Sequence, residues 1–260
     1  MHFRPCIDIH NGKVKQIVGG SLLDAGNQAT ENFVATQDAA FYAKLYKESK
    51  IKGGHIILLN KAKTPYYDED VAQAKLALSE YPGGLQLGGG VTAENAKIFL
   101  NMGASHVIVT SYVFREGRID YERLNNLVHA VGKEHLVLDL SCRKKDGKYY
   151  IVTDRWQKFT DEIVSKNTIE NLQDYADEFL IHAVDVEGKA NGVEEELVSM
   201  LGEYASIPIT YAGGVGSYED IETIRRLGKG RLNVTIGSAL DLFGGNLDYG
   251  KVIGMMDDIE

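Results

Sequence analysis

The sequence predicts a single α/β domain folded as a closed (β/α)8 barrel, a TIM barrel with a twofold half-barrel repeat. Short apolar runs alternate with amphipathic stretches eight times within 260 residues, which is typical of eight parallel strands that are each followed by a helix. Landmark motifs also recur about 130 residues apart, and a repeat near half the chain length indicates two related units. We therefore expect one domain over residues 1–260, with half-barrels at about 1–131 and 132–260.

The strand candidates are short apolar runs bounded by turn-forming residues. They cover residues 4–9, 55–59, 85–87, 106–109, 136–140, 179–183, 209–211 and 233–236. An open doubly wound sheet is the alternative arrangement of such runs. We disfavour it because no G-x-G-x-x-G motif follows the first run, where a dinucleotide-binding fold would have one.

The helix candidates lie between these runs and have apolar residues at helical spacing. They cover residues 37–49, 69–80, 93–101, 121–131, 168–177, 193–204, 218–227 and 247–257. Several begin at residues that suit N-caps: we expect Thr92, Thr168 and Ser217 to cap their helices. Ser217 is followed three residues later by Asp220, which is the spacing of a capping box.

The composition excludes several classes of function. The formal net charge is −9, which opposes broad binding to nucleic acid or to anionic membranes. No stretch approaches the ~20 apolar residues of a membrane span, and no secretory signal pattern begins the sequence. The two cysteines, Cys6 and Cys142, are too few for a disulfide framework. We expect a cytoplasmic protein that acts as a monomer with no obligate protein partner.

Glycine pairs after two of the strands predict two anion sites. Gly89-Gly90-Val91 recurs as Gly213-Gly214-Val215, and glycine between a strand and a helix lets backbone N–H groups approach a phosphate. The next strand of each half ends in a small polar pair, Thr110-Ser111 in the first half and Gly237-Ser238 in the second. Tight packing is the alternative explanation for one glycine pair, but two matched sets favour a small-molecule ligand with a phosphate at each end.

Two aspartates interrupt apolar strands at matching positions. Asp8 lies between Ile7 and Ile9, and Asp139 lies between Leu138 and Leu140. Because strand side chains alternate, we expect both carboxylates to face the barrel lumen near the end where active sites lie. For Asp8, capping of the following turn is the alternative. Two carboxylates across a barrel mouth suit general acid and base catalysis when one has a raised pKa.

Other side chains are weaker candidates. The histidines have no zinc-ligand spacing, so we expect no metal, and we expect His182 to be a packed, hydrogen-bonded core residue. Trp156, the single tryptophan, follows a long polar segment and either stacks on a planar ligand or anchors its loop. Asp185 and Glu187 follow the sixth strand and are either mouth residues or solvated loop carboxylates.

Six segments spread over nearly the whole chain carry a family resemblance. They are Pro-Cys-Ile-Asp-Ile-His-Asn-Gly-Lys-Val at 5–14, Leu-Gly-Gly-Gly-Val at 87–91, Asp-Leu-Ser-Cys-Arg at 139–143, His-Ala-Val-Asp-Val-Glu-Gly at 182–188, Tyr-Ala-Gly-Gly-Val at 211–215 and Gly-Ser-Ala-Leu-Asp-Leu-Phe-Gly-Gly-Asn at 237–246. Together they resemble the histidine-biosynthesis isomerases that act on phosphoribosylformimino-aminoimidazole carboxamide ribotide, most strongly those of the fungal and plant branch.

The resemblance implies an Amadori rearrangement of an aminoaldose into an aminoketose on a bisphosphate substrate, without a cofactor or a metal. It implies that Asp8 is the base and that Trp156 stacks on the aminoimidazole. For the acid, Asp139 is the expected residue, provided that its strand is shifted, and Ser141, Asp185 or a water are the alternatives. Ser141 stands where the bacterial branch has its strand 5 aspartate, whereas this chain has Asp139 two residues earlier, and Asp185 is the third candidate.

Two rival functions remain at this stage. One is the cyclase of the next step, which shares the half-barrels and both phosphate sites but needs ammonia from a glutaminase partner. The other is a catalytically silent barrel that binds a bisphosphate. Asp8 and Asp139 argue against the silent barrel, because a binding protein has no need of lumen carboxylates.

Overall fold

The computed structural model describes residues 1–17 and 30–257. Eight parallel strands form its central sheet, and a parallel bridge between Phe3 and Val234 joins the first strand region to the last. The predicted barrel is confirmed, and each predicted strand is present with its ends shifted by at most a few residues. We number the strands β1 (Cys6–His10), β2 (Gly54–Leu58), β3 (Leu85–Gly88), β4 (Val107–Val109), β5 (Leu136–Asp139), β6 (Glu178–His182), β7 (Ile209–Ala212) and β8 (Leu232–Thr235).

A helix follows each barrel strand, as predicted, although most helices are shorter than the sequence pattern indicates. Among the described residues, no helix is long and apolar enough to cross a membrane. The helices are α1 (Ala39–Glu48), α2 (Tyr67–Glu80), α3 (Ala96–Asn101), α4 (Tyr121–Val131), α5 (Lys166–Leu172), α6 (Glu195–Tyr204), α7 (Tyr218–Leu227) and α8 (Tyr249–Gly254).

The structure corrects two of the three predicted N-caps. Ser217 and Asp220 form the expected capping box at α7. Thr168 lies inside α5 because Ser165, three residues earlier, accepts a hydrogen bond from its backbone N–H. Thr92 begins a turn rather than a helix, since Asn95 Oδ1 accepts from the Thr92 backbone N–H and α3 begins only at Ala96.

Strand alternation separates an outer core from the lumen. Ile7 and Ile9 on β1 are fully buried in the main hydrophobic cluster, while Asp8 between them belongs to the lumen. A separate small cluster in the lumen is formed by Ile108, Val137 and Leu180, from β4, β5 and β6. Together with a buried polar layer, in which Glu178 accepts from Gln86 and Thr210, this apolar layer occupies the barrel interior. A ligand therefore binds above both layers, at the carboxyl ends of the strands.

Antiparallel strands extend the barrel at the same end. Strands Lys13–Ile17 and Glu31–Val34 continue the sheet beside β1, and a three-stranded sheet of Cys142–Lys145, Lys148–Thr153 and Lys158–Ile163 follows β5. The turn of that sheet has three consecutive left-handed residues, Asp154 (φ 51°), Arg155 (φ 57°) and Trp156 (φ 67°). Each left-handed non-glycine residue costs roughly 1–2 kcal/mol, so surrounding contacts must hold this turn in place.

Candidate active site

Two adjoining cavities open at the carboxyl ends of the strands. The larger contains about 1300 Å³ of space free of protein atoms and lies over β2 to β6. The smaller contains about 410 Å³ and lies over β1, β2 and β6 to β8. Three side chains line both cavities: Asp8, His182 and Glu187. These three residues therefore lie at the junction between the two cavities.

The first predicted anion site lies in the larger cavity. Gly89, Gly90, Thr110 and Ser111 all line it. Gly89 has a φ of 104°, and a Cβ added there would lie 2.2 Å from the carbonyl oxygen of Leu58, so close packing against β2 requires a glycine. Gly90, with a φ of 70°, faces open space instead. The two glycines therefore have different roles: Gly89 packs the turn, and Gly90 leaves its backbone accessible to a ligand.

The second predicted anion site lies in the smaller cavity, which Gly213, Gly237 and Ser238 line. A Cβ at Gly213 would lie 2.8 Å from the carbonyl oxygen of Ala183, which matches the packing of Gly89 in the first half. Gly214 is explained by packing, since a Cβ there would lie 2.1 Å from the carbonyl oxygen of Gly192. Of the second set, Gly213, Gly237 and Ser238 thus border the cavity.

Asp8 and Glu187 are two carboxyl groups whose ionisation is linked. Burial raises the pKa of Asp8 to about 7. Burial, together with the negative charge of Asp8, raises the pKa of Glu187 to about 7. Near neutral pH such a pair holds a proton on one member while the other is ionised, which allows one to act as an acid and the other as a base.

Asp139 has a different environment, since three donors converge on its carboxylate. The backbone N–H and the hydroxyl of Ser141 both donate to Asp139 Oδ1. The hydroxyl of Thr110 donates to Oδ2 at 3.0 Å. Asp139 also lines the larger cavity. A carboxylate that accepts this many hydrogen bonds is well suited to orient its neighbours. It is less suited to deliver a proton.

The same network fixes the tautomer of His182. The single hydroxyl hydrogen of Ser141 goes to Asp139, so Ser141 Oγ must accept from His182 Nδ1–H, which lies 3.0 Å away. Burial lowers the pKa of His182, which favours the neutral ring. Nε2 is therefore an unprotonated acceptor beside the cavities. The expected packed and hydrogen-bonded histidine is present, but it also borders the ligand space.

Trp156 lies against this network. Its ring centroid is 5.2 Å from that of His182, with the planes tilted by 46°. It lines the larger cavity together with Arg155 from the same strained turn. The position is compatible with stacking on a planar ligand, and the contact with His182 also anchors the loop, so both sequence-based explanations for Trp156 have a structural counterpart.

Asp185 is paired outside the junction. Its Oδ1 accepts from Arg143 Nε at 2.8 Å, and its Oδ2 accepts from the backbone N–H of Lys144 at 2.9 Å. These contacts tie the loop after β6 to the sheet that follows β5. Neither of the two cavities is lined by Asp185.

Comparison with known proteins gives the same family as the motifs. The model of the family described as "Histidine biosynthesis protein" matches residues 3–248. The chain belongs to this histidine biosynthesis family. A chloroplastic imidazole-4-carboxamide isomerase of Medicago truncatula is 55% identical over 257 residues, covering 97% of this chain and 81% of the relative.

Fungal members of the histidine biosynthesis family are also similar. Imidazole-4-carboxamide isomerases of Yarrowia lipolytica and Saccharomyces cerevisiae are 47% and 44% identical, each covering 94% of this chain, and 93% and 94% of the relatives. The resemblance drawn from the sequence motifs is confirmed, and with it the barrel fold and the isomerase class of enzyme.

Sequence reasoning did not single out Glu187 and His182, two of the three side chains that line both cavities. Glu187 follows Asp185 by two residues in a polar loop, and nothing in the sequence pattern separates the one that faces the ligand space from the one that pairs with Arg143. His182 is the last residue of a buried strand, where a packed residue is the ordinary expectation. His182 lies at the carboxyl end of a barrel strand, where active-site residues lie in such barrels. That position is the signal that could have identified it.

Proposed function

We propose that this member of the histidine biosynthesis family catalyses an aldose–ketose isomerisation, an Amadori rearrangement of a bisphosphorylated aminoimidazole carboxamide ribotide. The observation that carries the proposal is the Asp8 and Glu187 pair, with both pKa values near 7, between two glycine-lined cavities. The names of the relatives from Medicago and the two yeasts agree with this reaction.

The two cavities support a ligand with a phosphate at each end. The backbone N–H of Gly90 and the hydroxyl of Ser111 would bind one phosphate, with Thr110 beside them, whose hydroxyl hydrogen already goes to Asp139. The backbone N–H groups of Gly213 and Gly237, with the Ser238 hydroxyl, would bind the second phosphate. Fixing both ends holds the sugar between them at the junction, where Asp8 and Glu187 lie, and such positioning can supply several kcal/mol of the barrier reduction.

The reaction opens the sugar ring, with the bond from C1 to the ring oxygen replaced by a C1=N double bond, and otherwise moves only protons. Glu187 in its protonated form donates to the ring oxygen of the aminoaldose, and the ring opens to a Schiff base. Asp8 in its ionised form removes the proton on C2, which gives an enaminol. Protonation of C1 and loss of the proton on the C2 hydroxyl then give the ketose, so substrate and product are isomers. General acid and base catalysis of this kind contributes about 10² to 10⁴-fold for each group.

The choice of Glu187 as the acid rests on its environment. Glu187 has a raised pKa and borders both cavities. Asp139 accepts three hydrogen bonds and is better suited to hold Ser141 and His182 in place. Asp185 is paired with Arg143. Asp139, Ser141 and Asp185 remain the alternatives, and paired variants distinguish them.

The test is product identification with the purified protein and the aminoaldose bisphosphate, with neither ammonia nor a glutaminase present. We expect a product of unchanged mass whose NMR spectrum has a ketone carbon and no proton on C2. Unchanged substrate that nevertheless binds would contradict the isomerase. Adding the ketose with ammonia would then separate a cyclase from a silent binding protein.

We also propose where the protein is located and how it assembles. A monomer in the cytosol fits the composition and the two buried free cysteines, Cys6 and Cys142. Mass measurement by light scattering at micromolar concentration tests the monomer, and a mass twice that of one chain would exclude it.

A further inference from the structure

Three potential metal ligands of different chemistry meet in the lumen. A thiol, a carboxylate and an imidazole, from Cys6, Asp8 and His55, have ligand atoms that all lie within 4.8 Å of one another. All three residues border the smaller cavity, so an ion could reach them from the ligand space. Nothing in the isomerisation requires the thiol of Cys6 or the ring of His55.

Strand register brings these ligands together. Cys6 on β1 is the direct partner of His55 on β2, and Asp8 follows Cys6 by two residues. Since side chains alternate along a strand, all three project from the same face, into the lumen. Gln16 Nε2 donates to Cys6 Sγ at 3.4 Å, which orients the sulfur from behind.

The ring of His55 is available to bind an ion. It is only 2% exposed, yet no hydrogen bond to either of its ring nitrogens is present among residues 1–17 and 30–257. Its contacts there are a backbone hydrogen bond to Pro5 and an edge contact with the ring of His182. His55 is not among the side chains whose unpaired polar atom is fully buried, so its ring nitrogens face the smaller cavity, from which an ion can reach them.

We propose that Cys6, Asp8 and His55 bind one Zn²⁺ ion with an open fourth position, and that the bound ion inhibits the enzyme. A thiolate, an imidazole and a carboxylate form a donor set that favours zinc over magnesium or calcium. Zinc forms bonds of about 2.0–2.3 Å to such ligands, which puts the donor atoms about 3.5 Å apart. The present spacing of the donor atoms, up to 4.8 Å, must shorten for the ion to bind.

The charges balance on binding. The sulfur–hydrogen bond of Cys6 breaks, its proton goes to solvent, and a sulfur–zinc bond forms without any change of oxidation state. With an ionised Asp8 and a neutral His55, the two negative ligands neutralise the ion, so no net charge is buried. The inhibition rests on the proposed role of Asp8 as base, because a carboxylate bound to zinc cannot take the C2 proton. Binding itself does not depend on that role.

Metal binding is measured first, with the full chain and Co²⁺ or Zn²⁺ alone. We expect one Co²⁺ per chain, with the near-ultraviolet charge-transfer absorption of a cobalt–thiolate bond, displaced by Zn²⁺ but not by Mg²⁺. Cys6→Ser should abolish that absorption and weaken binding by about 100-fold or more. The matched control is Cys142→Ser, which removes the other buried thiol. This variant should keep both the cobalt–thiolate absorption and the affinity for the metal. Absence of stoichiometric binding, or loss of the absorption in Cys142→Ser instead, would overturn the site.

Inhibition is measured second. The reaction rate of each variant with Zn²⁺ is compared with the rate of the same variant in EDTA. Zn²⁺ should stop the wild type and Cys142→Ser, chelation should restore both, and Cys6→Ser should need about 100-fold more Zn²⁺. Bisphosphate substrate should protect, because the ligand space and the metal site share Asp8. Full activity with the ion demonstrably bound would overturn the inhibition and would count against Asp8 as the base, while the spectroscopic assignment of the ligands would stand.

Discussion

At the scale of the residue, the chemistry follows from where each carboxyl group is buried. Asp8 has burial as the one cause of its raised pKa, and Glu187 has burial plus the charge of Asp8. Asp139, on the equivalent strand of the other half, is surrounded by donors instead. Three acidic side chains at one barrel mouth thus have different roles because their neighbours differ.

Substitution of these carboxyl groups separates the roles. Asp8→Asn and Glu187→Gln should each lower kcat by about 10² to 10⁴-fold with little change in KM, because each removes a proton-transfer group and leaves the anion sites. Steady-state kinetics measures this. Asp139→Asn and Asp185→Asn serve as controls, and a larger loss of kcat in either one than in Glu187→Gln would transfer the acid role to that residue.

The activity should have a bell-shaped dependence on pH. The base must be ionised and the acid protonated, and both groups titrate near 7, so kcat/KM should rise toward neutral pH and fall above it. The two limbs belong to the pair, since the groups interact. A flat profile between pH 5 and 9 would be incompatible with the pair.

The burial of Asp8 should also make the free energy of unfolding smaller as the pH rises. Its pKa is about 7 in the folded chain against an ordinary 3.8, so the folded state binds more protons between those values and the free energy of unfolding falls through that range. Asp8→Asn removes the buried charge. Its Tm should therefore exceed that of the wild type at pH 8 by a few degrees and by much less at pH 4. Equal differences at both pH values would mean that Asp8 is not desolvated.

At the scale of the element, the strand-to-helix turns decide what a ligand can approach. The turn after β3 has one glycine that packs and one that faces open space, Gly89 and Gly90. The turn after β7 has Gly213 in the packing role of Gly89, whereas Gly214 packs against Gly192. The corresponding turns are therefore similar in backbone but not identical in how much of it a ligand can reach.

A pair of glycine substitutions tests the first turn. Gly90 and Gly83 both have a φ of 70°, and neither has a heavy atom within 3.5 Å of an added Cβ. Gly90→Ala and Gly83→Ala should therefore lose similar stability, about 1 kcal/mol each from the left-handed backbone. Only Gly90→Ala should raise KM for the bisphosphate substrate, by tenfold or more. Equal KM values for the two variants would remove Gly90 from the phosphate site.

At the scale of the whole molecule, the barrel was predictable because the periodicity of each strand and helix can be recognised within a short segment of sequence. Ile7, Asp8 and Ile9 reveal both the strand and its lumen face through alternation alone. The turn that holds Trp156 could not be predicted, because three left-handed residues follow from contacts distant in sequence. Glu187 was indistinguishable from Asp185 for the same reason, since the partner of Asp185 is an arginine 42 residues earlier in the chain.

The central claim is that Asp8 and Glu187 both titrate near neutral pH between the two cavities, so that one is protonated while the other is ionised. Carboxyl ¹³C NMR of the labelled protein, titrated from pH 4 to 9 with Asp8→Asn and Glu187→Gln to assign the signals, measures this directly. The account predicts two titration steps near pH 7, with Glu187 titrating lower in Asp8→Asn because the charge of Asp8 is gone. Independent titration of both groups near pH 4, unchanged by either substitution, would contradict it.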